Sequence, residues 1–155
     1  MDRLMMASFL QYTLPGSPSL YYADETGMEG YRDPFNRRTY PWGQEDKELL
    51  DWYAALGRLR REHQALQIGN IEYLFDSGDL LVFSRRDGQE TVLCACNAGE
   101  QPQTCLLDFP ATPLLGDCTV ESREEGYALT LPPRSAAVLL KGRETPCAPM
   151  GATAD

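Results

Sequence analysis

Basic clusters, long apolar runs and metal-ligand patterns are all missing from this chain, and histidine occurs once. His63 stands alone, and none of the five cysteines is paired with it at metal spacing, so no structural or catalytic metal site is expected. No apolar stretch approaches the roughly 18 residues that a spanning helix needs, and no membrane partner is expected. Lys and Arg total 14 against 23 Asp and Glu, for a formal charge of −9. Phosphate binding needs clustered cations, so nucleic acid is excluded as a partner, whereas neutral sugars are compatible with such a surface. Near the N-terminus, Leu4-Met5-Met6-Ala7 is soon interrupted by Gln11 and Tyr12, and no small-residue cleavage site follows. No signal peptide is read there. An odd number of cysteines suits small buried hydrophobes in a reducing compartment, and the expected location is cytoplasmic. Along an expected strand, Cys94 and Cys96 flank Ala95, and their thiols are expected on opposite faces.

What is present is enough for one ordinary domain, or a small domain plus part of another: 155 residues, 43% of them hydrophobic. The hydrophobic period changes near Gly69. Before it, Leu4-Met5, Ser8-Phe9 and Tyr12 fall near helical spacing, and Pro15-Gly16 ends that helix. Ser19-Leu20-Tyr21-Tyr22-Ala23 reads as a strand buried on both sides, as in a parallel sheet. Residues 24 to 46 are punctuated by Gly27, Gly30, Pro34, Pro41 and Gly43 and form a long loop, a length that usually signals function or disorder. Leu49, Trp52, Tyr53, Leu56, Leu59, His63 and Leu66 then trace one face of a helix over 46–67. Gly69 is placed to stop that helix in the left-handed conformation. His63 lies on or beside the apolar stripe and reads as structural rather than catalytic.

After Gly69 the period is two. Seven short strands are expected, over 71–75, 80–84, 91–96, 104–107, 118–121, 127–131 and 136–140, with turn signals such as Asp76-Ser77-Gly78 and Arg86-Asp87-Gly88 between them. That spacing reads as an antiparallel sandwich. Pro132-Pro133 is expected to open an edge before the last strand. The expected fold class is α+β, with residues 1–68 and 69–142 as two domains and a disordered tail over 143–155.

The run Leu14-Pro15-Gly16-Ser17-Pro18-Ser19-Leu20-Tyr21-Tyr22-Ala23-Asp24-Glu25-Thr26-Gly27-Met28 resembles the LPGxPxxYYGDExGM stretch of glycoside hydrolase family 13, the α-amylase superfamily. Asp33-Pro34-Phe35-Asn36-Arg37-Arg38 and Pro41-Trp42 resemble the DPxNRRxxPW loop of its neopullulanase, cyclomaltodextrinase and maltogenic amylase group. Two adjacent motifs in order are far more specific than either alone. One departure lies inside the first: Ala23 stands where the family most often has Gly, which matters if that backbone needs a positive φ.

The resemblance implies the terminal piece of a (β/α)8 barrel (helix, strand, loop, helix) followed by an all-antiparallel β-sandwich, the C-terminal fragment of an enzyme on α-glucans. It implies that Leu20 to Ala23 is the last barrel strand and that the loop after it overlies the mouth, where barrel enzymes bind substrate. It further implies that Asp33 and Arg37 contact glucosyl units, a carboxylate accepting from hydroxyls and a guanidinium donating to them. The alternative is that the two side chains bond each other. Tyr40 and Trp42 are candidates to stack on a sugar or to pack on the following helix.

Retaining glycosidases need two carboxylates roughly 5 Å apart, and the family carries them after earlier strands. No catalytic residue is therefore assigned here: the parent enzyme is a retaining α-glycosidase and this chain alone is expected to be inactive. No cofactor is implied, and the calcium that some members use has no identifiable ligands here. Two other readings stay open. One is a stand-alone carbohydrate-binding module using Tyr73, Phe75, Phe83 or Tyr127. The other is a protein-interaction piece that self-associates through exposed barrel surface.

Overall fold

The computed structural model describes residues 2–142, and the expected tail over 143–155 lies outside them. Helix α1 spans Asp2–Thr13 and buries Ser8, Phe9 and Thr13. Helix α2, Lys47–Glu62, starts where the Asp46 carboxylate accepts the Leu49 amide at 3.0 Å, a side-chain cap for an otherwise orphaned donor. Its stripe of Leu49, Trp52, Tyr53, Leu56 and Leu59 is buried, as the spacing requires.

The helix expected to run unbroken to residue 67 is interrupted. His63 is extended (φ −110°, ψ 103°), and a separate short helix, α3, covers Gln64–Ile68. The break has a partner: the Glu90 carboxylate meets His63 Nδ1 at 2.8 Å and accepts the Ala65 amide at 3.3 Å, so a distant side chain caps α3. Gly69 is not left-handed as expected (φ −64°, ψ 148°). A Cβ there would lie 2.4 Å from the Ala65 carbonyl oxygen and 2.9 Å from Arg86 backbone. The glycine is required by close backbone approach rather than by its φ.

The expected strand over 19–23 does not form a ladder. A parallel strand takes its hydrogen bonds from neighbours, and among the described residues none lies beside it. Its polar groups close locally instead: Tyr21 N–H donates to the Asp24 carboxylate at 2.9 Å, and the Asp24 amide donates to Tyr21 O at 3.1 Å. A single 3₁₀ turn, Asp24–Thr26, follows.

Eight strands follow α3 instead of seven: β1 (Asn70–Ser77), β2 (Leu80–Arg86), β3 (Thr91–Asn97), β4 (Gln103–Leu107), β5 (Ala111–Gly116), β6 (Thr119–Arg123), β7 (Gly126–Leu131) and β8 (Ser135–Lys141). All pairings are antiparallel, in a five-stranded sheet of order β1-β2-β3-β8-β5 and a three-stranded sheet of order β4-β7-β6. The unforeseen strand is β5. Pro113 hides it, and the structure tolerates that proline because β5 is an edge with a register shift between Pro113 and Leu115. Pro132-Pro133 opens no edge: β8 lies between β3 and β5.

The five-stranded sheet is the middle of three layers. On one face, Phe83, Val92, Cys94, Cys96, Ala136 and Val138 pack with Phe9, Leu49, Trp52, Tyr53, Leu56 and Leu66 of the helices. On the other, Leu80, Val82, Leu93, Ala95, Ala137 and Leu139 meet Cys105, Leu107, Leu129 and Leu131 of the second sheet. Cys94 and Cys96 therefore share a face, against expectation, because residues two apart on a strand point the same way. Burial raises the pKa of the Cys94, Cys96, Cys105 and Cys118 thiols and so disfavours the reactive thiolate.

Candidate functional site: the loop between the first two long helices

The loop from Asp24 to Asp46 is fixed at its two ends and open in its middle. At the start, Ala23 is left-handed (φ 67°, ψ 17°) and buried; its carbonyl accepts the Thr26 hydroxyl at 2.8 Å and the Thr26 amide at 3.1 Å. The alanine noted in sequence thus occupies a backbone state that favours glycine. At the far end, the Asp46 amide donates to Thr26 O at 3.4 Å, tying the loop's close to its beginning.

Between these ends, Asp33 and Arg37 are brought together: Nε of Arg37 lies 2.8 Å from the Asp33 carboxylate, with side chains 74% and 63% exposed. The alternative in which the two bond each other is the observed arrangement. Such an exposed pair contributes little to stability, and both groups remain open to solvent. Asn36, one residue before Arg37, donates to the Tyr21 hydroxyl at 3.5 Å, while its Oδ1 is buried without a partner. With Tyr21, Tyr22, Asp24, Met28 and Tyr31 it lines a cavity of about 360 Å³. The buried acceptor was not singled out in sequence, although Asn36 sits inside the DPFNRR motif that could have flagged it.

Trp42 is 81% exposed and does not pack on α2. Its ring centroid lies 4.5 Å from that of Tyr40, which in turn meets Tyr22 at 6.3 Å. Partial burial, then the neighbouring Glu25 and Glu45 carboxylates, push the Tyr40 hydroxyl above its ordinary pKa. The three rings form a solvent-facing aromatic wall, a suitable platform for the apolar face of a sugar ring.

The carboxylates of the loop are not arranged as an acid/base pair. Asp24 is held by the Tyr21 amide and Asp33 by Arg37. His63 binds Glu90 at the helix break and stands in the structural role expected for it. Among the described residues no group of three or more His, Cys, Asp or Glu side chains has the geometry to hold a metal ion.

On the sandwich, Phe83 is fully buried and Tyr127 packs against the inter-sheet core, leaving Tyr73 and Phe75 as exposed aromatics on edge strand β1. A cavity of about 710 Å³ lies beside β1 and β2, is lined by Ile68, Asn70, Glu72, Ser84 and Arg86 among others, and shares no residue with the loop.

A helix, an unpaired extended segment, a long aromatic loop, a helix and an antiparallel sandwich, in that order, define the C-terminal part of a barrel-type carbohydrate-active enzyme. The comparisons are specific. Residues 72–138 match the family model described as Maltogenic Amylase, C-terminal domain. The chain is 45% identical over 91 residues to an amylopullulanase of Thermoanaerobacter thermohydrosulfuricus, covering 57% of this chain and 6% of that one. It is 30% identical over 151 residues to neopullulanase 2 of Thermoactinomyces vulgaris, covering 91% and 26%. The solved debranching enzyme of Nostoc punctiforme superposes with a TM-score of 0.83 at 33% identity, over 90% of this chain and 31% of that one. The chain belongs to glycoside hydrolase family 13, the α-amylase superfamily, and corresponds to the C-terminal part of its neopullulanase- and cyclomaltodextrinase-like members. It spans 6% of the length of the amylopullulanase and about a quarter (26%) of the neopullulanase.

Proposed function

We propose that this chain completes an α-glucan glycoside hydrolase: its loop supplies one wall of the sugar site, and its sandwich braces the last barrel helices. Asp33 and Arg37 are the substrate contacts in this reading, with an α-glucan oligosaccharide as their ligand. The observation that carries it is the bare segment over 19–23. Leu20, Tyr21 and Tyr22 are exposed and without sheet partners, while α1 and α2 on either side are packed into a finished core. A strand-length apolar run in that position asks for a neighbouring sheet. Residues 1–68 then belong to the barrel and 69–142 to the sandwich, and the catalytic carboxylates come from preceding barrel strands. A cytoplasmic location is part of the same reading, supported by free thiols at Cys94, Cys96, Cys105 and Cys118.

The test has two arms. The purified chain is incubated with maltotriose, pullulan and a cyclodextrin, and no reducing ends are expected to appear; hydrolysis by the chain would sink the reading. Amide shifts are then followed during titration with maltotriose. Weak changes confined to 31–42 are expected, and Asp33→Ala removes them. Tight binding centred on Tyr73 and Phe75 would instead favour a stand-alone binding module. Sedimentation over a concentration series is expected to show self-association through the bare segment, weakened by Tyr21→Ser together with Tyr22→Ser.

A further inference from the structure

Arg85 is 1% exposed and forms no ion pair among the described residues. A guanidinium in an apolar core is strongly unfavourable unless its donors are met. Here Nε and Nη2 donate to Gly69 O at 3.2 and 2.9 Å, and Nη1 donates to Thr13 O. Thr13 is the last residue of α1, where free carbonyls concentrate the negative end of the helix dipole.

That helix carries no basic side chain in its own last turn. Two arginines from elsewhere supply the charge. Arg85 reaches it from β2, and Arg60 reaches it from α2, donating to Tyr12 O at 2.6 Å and to Gly16 O. Both sites suit arginine specifically, since one planar head spans two carbonyls, in separate stretches of chain for Arg85 and four residues apart for Arg60, and a lysine ammonium does not.

From this anchored end a line of hydrogen bonds leads to the loop. Gln11 Nε2 donates to Ser19 O, Asp24 holds the Tyr21 amide, and Asn36 bonds the Tyr21 hydroxyl next to Arg37. We infer that Arg85 and Arg60 are positioning residues through which β2 and α2 fix the segment over 14–24, and with it the Asp33–Arg37 loop. The sandwich then sets the placement of the sugar wall as well as covering apolar surface. The inference rests on the proposed sugar role of that loop, but its test needs no sugar. A contiguous line of contacts is a hypothesis of coupling until a perturbation is seen to travel along it.

The experiment compares backbone amide shifts of the full chain with those of Arg85→Met, Arg85→Lys and Arg60→Met. Arg85→Met is expected to move amides over 14–24 and those of Asn36 and Arg37, while Leu129 and Leu131 in the inter-sheet core stay in place. Arg85→Lys, which keeps charge but loses the fork, is expected to give the same pattern at reduced amplitude. Changes that stop at Gly16, or that spread equally to Leu129 and Leu131, overturn positioning in favour of local or general packing. If Arg85→Met does not fold, the half-buried Arg60→Met decides: shifts over 19–24 and at Asn36 and Arg37 sustain the inference, and their absence ends it. A failed maltotriose titration with intact propagation would count against the sugar reading alone.

Discussion

The sandwich and the loop over 24–46 use similar residues to opposite ends. In the sandwich, the large side chains of the central strands are buried, with Tyr73 and Phe75 of edge strand β1 exposed, and even the buried Asn97 is satisfied, its Nδ2 donating to Gln101 O and Pro132 O at 2.8 Å and its Oδ1 accepting the Gly99 amide at 3.0 Å. In and just before the loop, Tyr21, Tyr22, Tyr31, Phe35 and Trp42 face solvent, and Asn36 Oδ1 is left without a partner. The first region closes its polar groups internally, and the central strands β2, β3 and β8 of its middle sheet are largely buried. The second is an exposed surface with no packing partner among the described residues. Aromatic content therefore says little about stability until its burial is known.

Truncating an aromatic in each region exposes that difference most directly. Phe83→Ala, at a fully buried position between the helices and the middle sheet, is expected to cost about 3–5 kcal/mol in urea unfolding. Trp42→Ala removes a larger ring and is expected to change stability by no more than about 0.5 kcal/mol. A loss at Trp42 comparable to that at Phe83 would show that the loop is packed and would erase the contrast.

Backbone strain at the boundary comes next. Ala23→Val places a branched side chain at φ 67° and is expected to cost about 1–3 kcal/mol. Ala23→Gly is expected to be nearly neutral. Relief of the left-handed penalty, about 1–2 kcal/mol, is offset by loss of a buried methyl, about 0.8 kcal/mol, and by added freedom in the unfolded chain, about 0.4–1 kcal/mol. Equal midpoints for the valine and wild-type chains would mean that the turn is not held as described.

Much of this architecture was legible in sequence because its signals are local. The α2 stripe needs only neighbours three and four residues away, and most strands announce themselves by alternation between turn residues. What was not legible depends on distant contact. Glu90 breaks the helix at His63 from 27 residues away. The role of Gly69 follows from the approach of Arg86 backbone. Arg85 lies beside the Arg86-Asp87-Gly88 turn signal, and nothing local tells that its guanidinium turns inward to Thr13. In the candidate site, the motif singles out Asp33 and Arg37, which the fold pairs with each other, whereas the partnerless acceptor of Asn36 emerges only from the folded loop.

Within the loop itself the expected energies become small. Arg37→Ala and Asp33→Ala each remove one member of an exposed ion pair, and neither is expected to shift unfolding by more than about 0.5 kcal/mol. Those variants test the site cleanly, because a lost maltotriose response cannot then be assigned to unfolding. A shift several times larger would mean that the pair holds the loop together and that its exposure misleads.

The smallest effect concerns acid, and it lies on the sandwich side. Asp87 Oδ1 accepts the Gln89 and Glu90 amides at 2.9 and 3.0 Å, and these bonds hold its carboxyl below the ordinary pKa. A depressed carboxyl contributes stability above its unfolded pKa of about 3.9 and loses it as pH falls through the lower folded value. Asp87→Asn keeps an oxygen acceptor for the turn but removes the titration. The variant is therefore expected to match wild type in acid and to fall slightly below it near neutral pH, with a shallower melting-temperature slope between pH 5 and 3. Parallel slopes would show that the turn carboxylate contributes nothing to acid sensitivity.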